Sequence, residues 1–165
     1  MVQQENALKV TTPSDLEIVM TREFDAPREL VFEVFTRPEH LVRWFGRRED
    51  KLAVCEVDLR VGGTQRFVWR LSDGSEMGIS GVFREIVPPE RLVYTETFDA
   101  PYKEEMGVET LSTLTLAERG GRTTARWTTL YKSRQDRDRV LQSGMETGVA
   151  EGFDRLAELL ETMKR

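Results

Sequence analysis

Apolar and polar positions along this chain change their spacing several times, and each change marks an element. Leu16, Ile18, Met20 and then Phe24 fall on alternate positions, the period-two pattern of a half-buried strand. At Leu30 the spacing becomes helical, with Leu30, Val31, Val34 and Phe35 on one face. Pro27 suits the first turn of that helix, and Asp25 and Glu29 lie near its positive end. A second short helix is expected over 38–44. Period two then returns in six further runs, separated by turn residues at Gly62-Gly63, Ser72-Asp73-Gly74, Pro88-Pro89, Asp99-Ala100-Pro101 and Gly120-Gly121. Connections this short join antiparallel neighbours, since parallel pairs need long crossovers. Ser133, with Asp136 three residues on, opens the last helix. Its apolar stripe (Leu141, Met145, Val149, Phe153, Leu156, Leu160, Met163) reads as continuous to about Lys164, roughly 40 Å at 1.5 Å per residue.

These elements predict an α+β fold, with a strongly bent antiparallel sheet of about seven strands around one long C-terminal helix. Alternation assigns an inner face strand by strand. Cys55, Val57 and Leu59 share it, as do Phe67, Trp69 and Leu71, then Met77 and Ile79. Leu92, Tyr94 and Phe98 follow, then Val108, Leu114 and Leu116, and finally Trp127 and Tyr131. Gly144, Gly148 and Gly152 stand four apart on the last helix and so share one side of it. Each costs about 1 kcal/mol relative to alanine. Such a stripe implies either a closely approaching backbone or a space kept open for a guest.

Composition narrows the task. The 165 residues suit one domain, taken as 15–165, after a disordered leader over 1–14. Apolar residues make up 39% and the net charge is −5, which argues against nucleic acid or an anionic membrane as the main partner. No apolar run approaches the roughly 18 residues of a membrane span, and no secretory pattern opens the chain. A single cysteine, Cys55, fits a reducing cytoplasm.

Glu96 shares the inner face of its strand with Leu92, Tyr94 and Phe98, and Arg22 shares that of Ile18, Met20 and Phe24. A charge facing the interior needs a partner or a solvated cavity. Either residue could fix the polar end of a mostly apolar ligand, turn to solvent at a strand end, or enter a buried ion pair. Familiar catalytic sets are missing. His40 is the sole histidine, so a Ser-His-Asp or Cys-His arrangement is not expected. With one His and one Cys, neither a metal centre nor a cofactor site is expected. Cys55 reads as a buried, inert thiol. Gly62-Gly63 lacks the lysine and helix start of a phosphate loop. Glu96, Glu109 and Asp58 leave carboxylate chemistry open without singling out a pair.

Several ordered motifs carry a resemblance. Arg22-Glu23-Phe24-Asp25-Ala26-Pro27 and Pro38-Glu39-His40-Leu41-Val42-Arg43-Trp44-Phe45-Gly46 open it. Asp58-Leu59-Arg60-Val61-Gly62-Gly63, then Gly81-Val82-Phe83-Arg84-Glu85-Ile86-Val87-Pro88-Pro89-Glu90-Arg91-Leu92 and Tyr94-Thr95-Glu96, continue it. Gly144-Met145, Gly148 and Asp154-Arg155-Leu156 close it. Across residues 16–160 the chain resembles the bacterial SRPBCC proteins, in the branch named after the C-terminal domain of the activator of heat shock protein 90 ATPase. The resemblance implies the START-like helix-grip fold, whose groove commonly holds lipids, polyketides, hormones or other apolar molecules. Where relatives commonly carry proline after the Trp-Phe-Gly motif, this chain has Arg47, opening the charged segment Arg47-Arg48-Glu49-Asp50-Lys51. Val149 stands where a tryptophan is common and Gly152 precedes Phe153, changes that imply a roomier pocket.

The expected function is binding of a hydrophobic or amphipathic small molecule between sheet and C-terminal helix. The expected lining is Trp44, Phe67, Trp69, Met77, Ile79, Tyr94, Glu96, Phe98, Trp127, Met145, Gly148, Val149, Gly152 and Phe153. Trp44, Phe45 and the loop 99–106 are expected gates. Two alternatives stand beside it. One is a cyclase, dehydratase or hydrolase acting on an aromatic or polyketide-like substrate. The other is a partner that modulates a chaperone ATPase. A homodimer is compatible with each.

Overall fold

Turn residues and period-two runs fold the chain back on itself strand by strand. The computed structural model describes residues 7–99 and 109–164. Its strands are β1 (Lys9–Thr11), β2 (Glu17–Phe24), β3 (Lys51–Val57), β4 (Thr64–Arg70), β5 (Glu76–Val87), β6 (Arg91–Phe98), β7 (Thr110–Arg119) and β8 (Arg122–Leu130). Its helices are α1 (Arg28–Thr36), α2 (Pro38–Trp44), α3 (Arg134–Gln142) and α4 (Met145–Met163). The strands form one antiparallel sheet in the order β1-β2-β8-β7-β6-β5-β4-β3. Register shifts between Leu52 and Val54 and between Phe83 and Glu85 supply local bends. The sheet curves around α4 in an α+β architecture. No described helix is long and apolar enough to cross a membrane.

The seven expected strands are present, and β1 is an eighth. It falls inside the segment expected as a leader, where Val10 pairs with Met20 along β2. Three residues are too few to show a period, so the alternation carried no signal there.

The long C-terminal helix is two helices. Ser133 caps α3, its hydroxyl accepting a hydrogen bond from the Asp136 amide at 3.0 Å. α3 stops at Gln142, and Gly144 opens α4 with φ of 84°. That left-handed backbone is strained for residues with a Cβ and open to glycine. A Cβ at Gly144 would meet nothing within 4 Å, so conformation rather than space places glycine there. At 19 residues, α4 spans about 28 Å.

Between sheet and helices lies one large core. Phe153 of α4 meets the rings of Phe24, Phe35, Trp44 and Trp127 at centroid distances of 5.8–6.1 Å. A smaller cluster of Ile18, Met20, Tyr131 and Val140 seats α3 over the end of the sheet, with Met145 and Val149 packed against it. Leu59, expected to face inward, lies beyond β3 and is exposed.

Candidate functional site

Strand alternation brings the inner face of β3 to β8 against α1 and α2, and the fit leaves a gap. The gap is lined by Phe35, Thr36, Leu41, Trp44, Phe45, Val57, Gln65, Phe67, Phe83, Leu92, Tyr94, Glu96, Leu114 and Trp127. Its volume is about 30 Å³, room for about two waters. Seven of these side chains are aromatic. Phe45 sits edge-on to both Phe67 and Trp69, at 5.0 Å each. Trp44 is anchored by its indole N–H, which donates to the Val34 carbonyl at 2.8 Å.

The charged group in this lining is Glu96. The residue is half-buried, and desolvation of its carboxyl pushes its pKa up to about 7. Ser112 opposes the rise by donating its hydroxyl to Oε1 at 3.2 Å, and the same hydroxyl lies 3.2 Å from that of Thr129. Tyr94 and Tyr131 are held above the ordinary tyrosine range, first by burial and then by the Glu96 charge. The Trp127 indole N–H is buried; among the described residues it meets no partner at hydrogen-bond geometry, although it stands near enough to the Tyr94 hydroxyl to oppose that group's rise. Gln65, also buried, pairs in register with Gly81, and its amide nitrogen lies 3.7 Å from where a Cβ on Gly81 would stand.

Of the fourteen residues expected to line the groove, five border this cavity: Trp44, Phe67, Tyr94, Glu96 and Trp127. Trp69 is buried beyond it, its indole donating to the Phe45 carbonyl at 2.9 Å. Met77, Ile79 and Phe98 are half-buried further along β5 and β6. Met145 packs on the smaller cluster, Val149 on both clusters, and Phe153 is a core ring. A Cβ at Gly148 would press on the Arg47 side chain at 3.2 Å. One at Gly152 would meet the backbone of Trp44 and Gly46 at 3.5 Å. Gly152 therefore faces a close backbone approach, not added cavity space. Among the gates, Phe45 lies in the lining and Asp99 pairs with Arg66 at 2.6 Å. Residues 100–106, Gly107 and Val108 lie outside the described residues.

The remaining candidates find other surroundings. Arg22 pairs with Asp154 of α4 at 2.6 Å, its guanidinium 5.3 Å from the Phe24 ring centre. His40 Nε2 lies 3.5 Å from Glu33. Burial pushes the Cys55 thiol up to about 11, so it stays protonated near neutrality. Sequence reasoning missed Gln65, although it shares the alternation of Phe67 and Trp69. It also missed Phe35 and Thr36, whose approach depends on how α1 packs.

A sheet bent around its C-terminal helix, with short helices threaded between its early strands, is the helix-grip arrangement of START-like domains. The cavity lies between the sheet and the two short helices, and no residue of α4 borders it, so it is not the expected groove against the C-terminal helix. The chain belongs to the family described as Activator of Hsp90 ATPase homolog 1-like protein, whose family model matches residues 25–161. A solved protein from Rhodobacter sphaeroides is similar over 94% of this chain and 99% of its own, with 28% identity and a TM-score of 0.87. Protein NE0264 from Nitrosomonas europaea is 25% identical over 92% of this chain and 98% of its own, with a TM-score of 0.80. A Silicibacter pomeroyi protein titled AHSA1 shares the fold at 19% identity, covering 90% of this chain and 99% of its own, with a TM-score of 0.72. No curated protein matches the chain.

Proposed function

We propose that this protein binds a small amphipathic molecule between the sheet and its helices, with Glu96 fixing the polar end. The observation that supports this most is a half-buried carboxyl in a cavity walled by aromatic rings, with the Ser112 hydroxyl as its side-chain hydrogen-bond partner among the described residues. A purely structural core gains nothing from a carboxyl in that position, because desolvation penalises its charged form. A space of about 30 Å³ is well below the few hundred Å³ of a ligand pocket. Binding therefore displaces side chains.

Native mass spectrometry of freshly purified protein tests the proposal. A copurifying small molecule is expected, with reduced occupancy in Glu96→Gln. Repeated ligand-free preparations, together with a Trp127 indole signal that no apolar probe shifts, would reject it.

A second reading, an enzyme, draws on the same carboxyl. A group that titrates near 7 is matched to proton transfer at neutral pH. Conversion of the copurified molecule, lost in Glu96→Gln while binding persists, would select that reading.

A further inference from the structure

Resting on that binding reading, we infer that the cavity is built for an organic cation, an amine whose ammonium group meets the Glu96 carboxylate among aromatic faces. Four observations converge on this class of guest.

The described lining carries a carboxylate without a countercharge. Among the described residues no lysine, arginine or histidine lies within ion-pair distance of Glu96, and Ser112 supplies its side-chain hydrogen bond. The nearest candidate from alternation, Arg22, is already committed to Asp154. The walls are also of the right kind. Seven aromatic side chains border the cavity, and a cation over an aromatic face is attracted by the ring quadrupole, most strongly where water is excluded.

A second acceptor stands at the cavity as well. Gln65 of β4 is in register with Gly81 of β5, where the Thr95 carbonyl of β6 takes the place a Cβ would need. The Gln65 amide borders the cavity and offers a carbonyl oxygen as a second acceptor for an N–H. Finally, the net charge of −5 favours approach of a cation over that of an anion. A neutral guest would satisfy the carboxyl with one hydrogen bond and leave its charge uncompensated. An anionic guest would meet repulsion.

Isothermal titration of the full chain at about pH 8, where Glu96 is largely ionised, with two probes of matched shape separates the possibilities. The probes are 2-(1-naphthyl)ethylamine, charged, and 2-(1-naphthyl)ethanol, neutral. The amine is expected to bind at least about tenfold more tightly. In Glu96→Gln that preference is expected to shrink below about threefold, with the affinity for the alcohol nearly unchanged. A folded Glu96→Gln that keeps the full preference would overturn the inference. Should Glu96→Gln not fold, Phe45→Leu supplies the comparison: it removes an aromatic face and is expected to weaken the amine more than the alcohol, and equal weakening counts against a cation. Equal binding of both probes to the unmodified protein overturns the inference and leaves small-molecule binding standing. Failure of both probes at about 1 mM removes the inference and the binding reading together.

Discussion

Glu96 ties stability to pH in a direction opposite to most carboxylates. Its native pKa stands at about 7 against 4.5 for the free group, so between those values the folded state holds more protons than the unfolded one. The stabilising contribution of this carboxyl is complete below about 4.5 and is lost as pH rises through 7. Glu96→Gln should remove that slope. At about pH 8 the variant should exceed the parent in urea-unfolding free energy by up to about 3 kcal/mol, and the gain should vanish near pH 4. A difference independent of pH would assign the shift to other groups. Two glycines make a second residue-scale comparison. At Gly152 an alanine Cβ would sit in ordinary contact 3.5 Å from the facing backbone. Gly152→Ala should therefore be neutral or gain up to about 1 kcal/mol of helix propensity. At Gly81 a Cβ would land on the Thr95 carbonyl oxygen. Gly81→Ala should cost about 1–3 kcal/mol through strain that neighbouring strands cannot relieve. Thermal unfolding of both variants checks the contrast.

At the scale of elements, α4 is held by its second half. Arg155 donates to the carbonyls of Arg43, Gly46 and Arg47, with distances of 2.8–3.2 Å, and so caps the end of α2 from the side. Arg155→Met keeps much of the stem and removes the donors. It should cost about 1.5–3 kcal/mol, since hydrogen bonds from a charged donor are the strong ones, and it should loosen residues 43–47 in amide exchange. Full protection of those amides would deny the clamp its role. The strands were legible because inward apolar residues recur at every second position along runs such as Phe67 and Trp69 or Leu114 and Leu116. The break at Gly144 was not. Leu141 and Met145 stand four apart across it, so the apolar stripe keeps helical spacing through the very residues that interrupt the helix. Alternation also chose the correct face for Trp69, Met77 and Ile79 but carried no information on how far along a strand the cavity extends. Contributions from α1 and from Phe45 depend on how helices settle onto the sheet, which one-dimensional spacing does not encode.

Across the whole molecule, six of the seven strand pairings join sequence neighbours, and β2 with β8 is the exception. There Phe24 meets Thr123 and Glu17 meets Leu130, residues about a hundred positions apart. Closing a loop of that length costs about 4 kcal/mol of chain entropy before any contact offsets it. The hairpins can form early and alone, whereas the seam between β2 and β8 has to wait for a long-range encounter. Refolding speed should therefore be governed at that seam. A disulfide placed across it, Thr21→Cys with Arg126→Cys, should accelerate refolding in stopped-flow far more than one across the β7–β8 hairpin, Thr113→Cys with Thr128→Cys. A sheet that looks uniform when folded thus has one join that sets the tempo of its assembly.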